Sequence, residues 1–267
     1  MKSNSLVSIV IPLYNQGMYI DETLESVEKQ SYPNMEVIIV NDGSNDEYTL
    51  EKIKQLLRDG YKVIDKVNGG LASARNYGIT QAKGKYIVAL DSDDIIHPDY
   101  ISKCVEKIEK TDYRIVYTRA LLFGHKHGMW MLPKFTMKKM LQGNIIYCSA
   151  MFYREDWVKV GGYDEKLRSG LEDWDFWLSI LASSKENTNI VFRLNKPMFY
   201  YRIRNNSMLR KIDLDKKKKI FEYIYEKHKQ LFELYSVTPT ANLKNNFHVR
   251  LLNKFLSIIY GLFYHVR

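Results

Sequence analysis

Cysteine is scarce in this chain of 267 residues: Cys104 and Cys148 stand far apart, with no C-x-x-C pair. That excludes a disulfide framework, argues against a zinc site and fits a reducing compartment. His125 and His127 do not change this, because no fourth ligand has suitable spacing. Also missing is any run of about 18 uncharged apolar residues, so no segment reads as a membrane span. The opening residues run straight into a strand-like stretch and are too short for a signal peptide, so cytoplasmic residence is expected. Neither G-x-x-x-x-G-K-S/T nor G-x-G-x-x-G occurs, which removes a P-loop and a dinucleotide fingerprint.

Charge is present in excess. Forty Lys and Arg oppose 31 Asp and Glu, a net +9. Such a balance suits nucleic acid, an anionic membrane surface or phosphate-bearing substrates. No helix-turn-helix, finger spacing or RNA-binding aromatic signature accompanies it, so nucleic acid is not an expected partner. Much of the excess lies late, in the lysine-rich stretch from Lys211 to Lys229. An apolar fraction of 45% is ordinary for a globular protein and sufficient for a sizeable core.

The first 120 residues alternate strand and helix signals. Apolar runs at Val7–Leu13, Val37–Val40, Lys62–Lys66, Tyr86–Leu90 and Arg114–Thr118 read as strands. Helical patterns fall between them, over Asn15–Gln30, Tyr48–Arg58, Leu71–Gln81 and His97–Lys110. Continuous apolar strands alternating with helices indicate an α/β fold with a parallel sheet covered on both faces. Ligands in such sheets sit at the carboxyl ends of the strands. From Arg119 to Gly143 the periodicity dissolves, and this stretch is expected to be irregular. Met151–Arg154 reads as strand, Leu171–Leu181 as helix and Ile190–Ile203 as extended chain. A boundary near residue 212 divides a domain over 1–212 from a basic, amphipathic helical extension over 213–267. Within the first, 1–118 and 119–212 form two halves.

Polar clusters close the strands. Pro12-Leu13-Tyr14-Asn15 ends the first and Asn41-Asp42-Gly43-Ser44 the second. Asn68-Gly69-Gly70 leads into a helix bearing Ala74-Arg75-Asn76, and Asp91-Ser92-Asp93-Asp94 closes a further strand. Each alone could be ordinary turn or cap chemistry. Together they supply what a nucleotide needs: an aromatic wall (Tyr14), a carboxylate for base edges (Asp42) and a cation near phosphate (Arg75). Asp91 and Asp93, two apart at a strand end, can aim hard oxygen ligands at a divalent cation completed by substrate phosphates.

The ordered set VSIVIPLYN, EVIIVNDGS, NGGLASARNYGI, YIVALDSDD, GGYDEKL and LEDWDFWL resembles the family 2 glycosyltransferases. The likeness runs from about residue 6 to about residue 207. It implies a GT-A fold, a Rossmann-like and mostly parallel sheet, and transfer with inversion from a nucleotide-sugar donor, commonly UDP-linked. Carried over by motif, residues 1–118 become the donor-binding half and 119–212 the acceptor-binding half. Asp42 would contact uracil beside the wall of Pro12, Tyr14 and Asn15, and Arg75 would stand near base and diphosphate. Asp91, with Ser92 beside it, would hold the ribose, and Asp93 would bind Mg2+ or Mn2+. Asp173 would be the general base, with Glu172 and Trp174 on the acceptor side. A nucleotidyltransferase on the same fold would need a glycine- and lysine-rich loop after the first strand, which Tyr14-Asn15-Gln16-Gly17 does not supply.

Two features qualify this picture. Glu172, Asp173 and Asp175 fall in a first helical turn, where acidic residues are favourable through the helix dipole alone. Where the family often has Tyr-Arg-x-His, this chain has Tyr201-Arg202-Ile203-Arg204. Arg204 has no lone pair for a metal, but it can pair with a diphosphate. The tail places Leu252, Phe255, Leu256, Ile259, Leu262, Phe263 and Val266 on one helical face. That face would either pack on protein, its own domain or a second subunit, or lie on an anionic membrane with help from Lys216–Lys219. A glycan or lipid-linked acceptor suits the second arrangement, in assembly of a surface polysaccharide or glycoconjugate.

Overall fold

In the computed structural model, residues 4–184, 190–204 and 214–238 are described. Strand β1 (Val7–Leu13) is buried over its whole length. It lies between β2 (Met35–Asn41) and β4 (Tyr86–Ala89), parallel to both, and β2 pairs in parallel with β3 (Val63–Asp65). A strand covered on both faces keeps no polar alternation, which is why β1, β2 and β4 read as continuous apolar runs. The connecting helices are α1 (Ile20–Glu28), α2 (Glu47–Arg58) and α3 (Leu71–Thr80). Asp46 caps α2, its Oδ1 accepting the Thr49 amide at 2.8 Å. Helix α3 lies so close to the sheet that a Cβ at Gly78 would overlap Val10 and Val40. Because β1 to β4 all run the same way, the segments after them gather at one edge.

Beyond β4 the sheet becomes mixed. The described strands follow the order β3-β2-β1-β4-β8-β6-β9-β5, with β7 attached to β6. Here β5 is Ile95–Ile96, β6 Ile115–Gly124, β7 Gly128–Trp130, β8 Met151–Tyr153 and β9 Val191–Ile203. Strand β8 is antiparallel to β4 and β6, while β6 and β9 are parallel across a bulge at Thr118–Ala120. Helices α4 (Tyr100–Glu109), α5 (Met137–Gln142), α6 (Arg154–Val160) and α7 (Glu172–Ser183) complete this half.

The stretch 119–143 is more ordered than its sequence implies. Strand β6 continues to Gly124, turns through left-handed glycines at 124 and 128, and pairs with β7. Thr136 then caps α5 through the Lys139 amide. A three-residue strand and a six-residue helix are too short for periodicity to register.

Helix α7 is apolar on nearly every side: Trp174, Phe176, Trp177, Leu178, Ile180 and Leu181 are all buried. Such a helix belongs in a core. Its outer cover comes from α8 (Leu214–Lys227) and α9 (Lys229–Leu234). Ile220, Ile224, Leu231 and Phe232 are buried, and the Phe221 ring lies 4.9 Å from that of Trp174. The described start of the C-terminal segment therefore packs on α7. The apolar face read between Leu252 and Val266 lies outside the described residues. No helix among the described residues is long and apolar enough to cross a membrane.

Candidate active site

At the shared edge, the loops after β1 and β2 are stitched together. Asn15 adopts a left-handed backbone, φ 52°, which Asn tolerates better than most residues. Its amide donates to Ser44 Oγ at 3.1 Å and its Oδ1 accepts the Asn45 amide at 2.9 Å. Pro12 is buried within β1, whereas Tyr14 is 43% exposed and leaves its ring available to a ligand.

Asp42 is buried and fully engaged. Its Oδ1 accepts Lys66 Nζ at 2.7 Å and the Gly69 amide at 2.9 Å, and its Oδ2 accepts the Gly70 amide at 2.9 Å. Asn68 Nδ2 donates to the Asp42 carbonyl at 2.9 Å. Gly43 is required at this approach: with φ +69°, a Cβ there would stand 2.8 Å from the Asn68 nitrogen. Asp42 thus ties the Asn-Gly-Gly loop to the end of β2.

Arg75 lies deeper than its motif suggests. It is 1% exposed, with Nη1 donating to Glu172 Oε1 at 2.6 Å and Nη2 to Asp91 Oδ1 at 2.7 Å. Burial alone would lower its pKa, but Asp91, Cys148 and Glu172 outweigh burial and push it well up. The guanidinium bridges the end of β4 and the start of α7, 97 residues apart in sequence. It is enclosed between two carboxylates.

The Asp91–Asp94 turn holds three carboxylates. Asp91 accepts Arg75 and also the Cys148 thiol, at 3.5 Å. Ser92 Oγ donates to Gln16 Oε1 at 3.0 Å. Asp93 Oδ2 stands 2.7 Å from Arg204 Nε. Burial raises its pKa to about 6, Arg204 opposes that rise and Asp91 adds to it. Asp94 Oδ1 accepts the Arg202 amide at 2.9 Å, and its Oδ2 is buried with no partner among the described residues. Burial, then Asp93 and Asp91, push Asp94 far up. Among the described residues no group of three or more His, Cys, Asp or Glu is arranged to hold a metal. Asp93 with Asp91 beside it still fits a cation that keeps one or two carboxylates and draws its remaining ligands from phosphate and water.

At the opening of α7, Leu171 is left-handed at φ 66° and precedes Glu172-Asp173. Of three non-glycine residues with positive φ among those described, Asn15 and Leu171 both sit at this site. Asp173 Oδ2 accepts Asn144 Nδ2 at 2.7 Å. Burial and then Glu172 raise its pKa to about 7, against the pull of Arg75. Trp174, expected on the acceptor side, is fully buried and donates from Nε1 to the Met140 carbonyl at 2.7 Å. Each helical residue turns roughly 100° from the last, so the one after Asp173 faces inward. Glu172 is likewise 4% exposed and committed to Arg75.

Sequence reasoning missed Asn144 and Lys66, and it named Arg202 and the Gly69-Gly70 pair without their contacts. The Gly-Gly pair and the Tyr-Arg motif carried local signals; Asn144 and Lys66 meet their partners through the fold.

Known proteins resemble this chain. A model of glycosyl transferase family 2 matches residues 8–161. An uncharacterized glycosyltransferase of Rickettsia felis is 34% identical over 189 residues, covering 66% of this chain and 31% of that protein. Hyaluronan synthase of Pasteurella multocida is 34% identical over 224 residues, covering 79% of this chain and 22% of the synthase. The chain spans less than two thirds of these relatives' own lengths. Among solved structures, S. aureus TarS 1-349 in complex with UDP-GlcNAc superposes with a TM-score of 0.67 at 22% identity, over 82% of this chain and 65% of that one. Mannosyltransferase PcManGT from Pyrobaculum calidifontis, in complex with GDP-Man and Mn2+, gives 0.62 at 15% identity, over 93% and 74%. The fold is GT-A, as in these neighbours. With the family model covering more than half of its length, the chain belongs to glycosyl transferase family 2.

Proposed function

We propose that this chain transfers a sugar from a nucleotide-sugar donor, a UDP-sugar, to a glycan or lipid-linked acceptor with inversion. One observation carries the reading: Arg75 and Glu172 connect the turn bearing Asp91 and Asp93 to the first turn of α7, which carries Asp173. A donor site and a basic carboxylate are thereby held in one frame.

Each residue has a task in that frame. Tyr14 flanks the base, the Asp42 loop shapes its pocket, and Asp91 and Ser92 face the ribose. Asp93 would hold Mg2+ or Mn2+, which when bound neutralises charge on the departing diphosphate. Asp173 takes the proton from the acceptor hydroxyl as its oxygen attacks the anomeric carbon. The bond from that carbon to the diphosphate breaks on the opposite side, and UDP leaves with the electron pair. A carboxylate with a pKa of about 7 is a far better proton acceptor than an ordinary aspartate. Arg75 pairs with Glu172 and opposes the rise that Glu172 causes at Asp173.

The UDP-GlcNAc complex of TarS and the Mn2+ complex of PcManGT support the donor class and the cation. Hyaluronan synthase and chondroitin synthase among the relatives support a polysaccharide or glycoconjugate product. The exposed lysines of α8 suit peripheral contact with the inner face of a membrane.

The test is UDP release from a panel of UDP-sugars with Mn2+, with and without chelator. One donor should stand out, and chelation should abolish its turnover. No release from any nucleotide sugar, with UDP still bound, would leave a binding protein and overturn the enzymatic reading.

A further inference from the structure

The partner of Asp93 in this structure is a side chain. Arg204 Nε stands 2.7 Å from Asp93 Oδ2, with side-chain exposures of 24% and 10%. Neighbouring contacts bring it there. Arg202 Nε donates to the Asp93 carbonyl at 2.8 Å and the Arg202 amide to Asp94 Oδ1 at 2.9 Å, which fastens the end of β9 onto the turn. Arg202 also pairs with Glu22 at 2.9 Å, and both guanidinium groups lie over the Tyr19 ring, at 4.9 and 5.4 Å. The other two carboxylates are engaged elsewhere, Asp91 by Arg75 and Asp94 by the Arg202 amide.

A divalent cation at Asp93 would meet this arginine. A guanidinium cannot join a coordination sphere, since it has no lone pair to give. Two positive charges competing for one buried carboxylate repel each other with little screening. A diphosphate resolves the conflict, because its oxygens accept a guanidinium fork and the metal together.

Resting on the reading that Asp93 takes the cation, we propose that Arg204 is a resident counter-cation on Asp93. It is exchanged onto the donor diphosphate when the metal arrives. Cation and nucleotide then bind as one coupled step: without nucleotide the arginine holds the site against metal, and with nucleotide it becomes part of the donor grip. Coupling of this kind is reciprocal, so metal strengthens nucleotide binding by the factor that nucleotide strengthens metal binding.

The test follows free Mn2+ by electron paramagnetic resonance during titration of the full chain, with and without saturating UDP. In the parent, UDP should tighten Mn2+ binding by at least about tenfold, within the usual range of coupling between sites. Arg204→Gln should bind Mn2+ alone about tenfold tighter than the parent, and its coupling to UDP should fall below about threefold. Arg204→Met, which keeps an apolar stem beside Tyr19, repeats the measurement should the Gln variant fail to fold. Mn2+ affinity within about twofold of the parent in the nucleotide-free variants would overturn the exchange, while the metal-dependent reading stands. Absence of Mn2+ binding to parent and variants alike, with UDP still bound, would remove the cation from the reaction and the exchange with it.

Discussion

Two aspartates of this site, Asp42 and Asp173, are held in opposite ways. Asp42, in the parallel half, is gripped by two backbone amides and a lysine, all from the loop that follows the neighbouring strand β3. Asp173, in the mixed half, keeps one side-chain amide, that of Asn144, and the amide of its own neighbour Trp174. The first grip fixes the carboxylate in place and builds a rigid wall. The second leaves the carboxylate under-solvated, with its pKa raised to about 7 by burial and Glu172. Binding calls for the first environment, and proton transfer for the second.

The sharpest way to break this contrast is Asp173→Asn, which keeps shape and removes basicity. We expect kcat to fall by about 10²- to 10⁴-fold, the usual contribution of a positioned base, with UDP affinity unchanged. In the parent, kcat/KM should rise with pH through about 7 and level off above it, since the carboxylate is the reactive form. The variant's residual rate should lose that limb. Stability should move the other way. A carboxyl whose folded pKa is raised contributes stability that is present below about 3.9 and lost as pH rises through about 7. At pH 8 the Asn variant should therefore melt at or above the parent Tm. Turnover within about threefold of the parent would place the base elsewhere and dissolve the contrast.

How much of this was legible in the sequence differs between the same two halves. The main strand–helix alternation through residue 110 was clear, because β1, β2, β4 and the four helices run long enough to show, whereas the two-residue β5 left no signal; the strand-end motifs sit where the parallel sheet places them. Asp173 was legible only as part of Leu-Glu-Asp-Trp-Asp, and its environment was not. Asn144 lies 29 residues away, and Arg75 meets Glu172 across 97 residues. No local pattern encodes such pairings. Likewise Arg204 reads as a departure from a motif, while its partner Asp93 is visible only in three dimensions.

The next largest effect concerns the back of α7. Asp175 is buried and accepts Lys227 Nζ and His228 Nε2, each at 2.8 Å, while Lys227 also reaches Asp164. Ending the chain after residue 212 removes both partners of a buried carboxylate, a change that typically costs about 3–5 kcal/mol. It also exposes the apolar surface under Ile220 and Ile224. Thermal melts should show a large fall in Tm for that truncation relative to the full chain. Equal melting of the two would detach α8 and α9 from the catalytic frame. Glu172→Gln ranks below this. It weakens the grip on Arg75, at about 1–3 kcal/mol of stability, and its turnover should exceed that of Asp173→Asn.

The smallest expected effect tests the other side of the comparison. If backbone amides hold Asp42, the lysine beside it is secondary. Asp42→Ala leaves the Gly69 and Gly70 amides without their acceptor, costing about 1–3 kcal/mol in a buried setting. The Asn-Gly-Gly loop should then loosen, and UDP affinity should fall by about ten- to a hundredfold, since each 1.4 kcal/mol is tenfold. Lys66→Gln removes one of three donors and leaves both amides in place. The two amide contacts do not depend on the lysine, so the loop should keep its shape. We expect calorimetry to show UDP affinity within about threefold of the parent for Lys66→Gln. Amide exchange at Gly69 and Gly70 separates the causes: slow exchange in Lys66→Gln and fast exchange in Asp42→Ala is the expected pair. Should Lys66→Gln lose as much UDP affinity as Asp42→Ala while both glycine amides stay protected, the lysine itself grips the nucleotide. The wall of the donor site would then be a side-chain device like the one around Asp173.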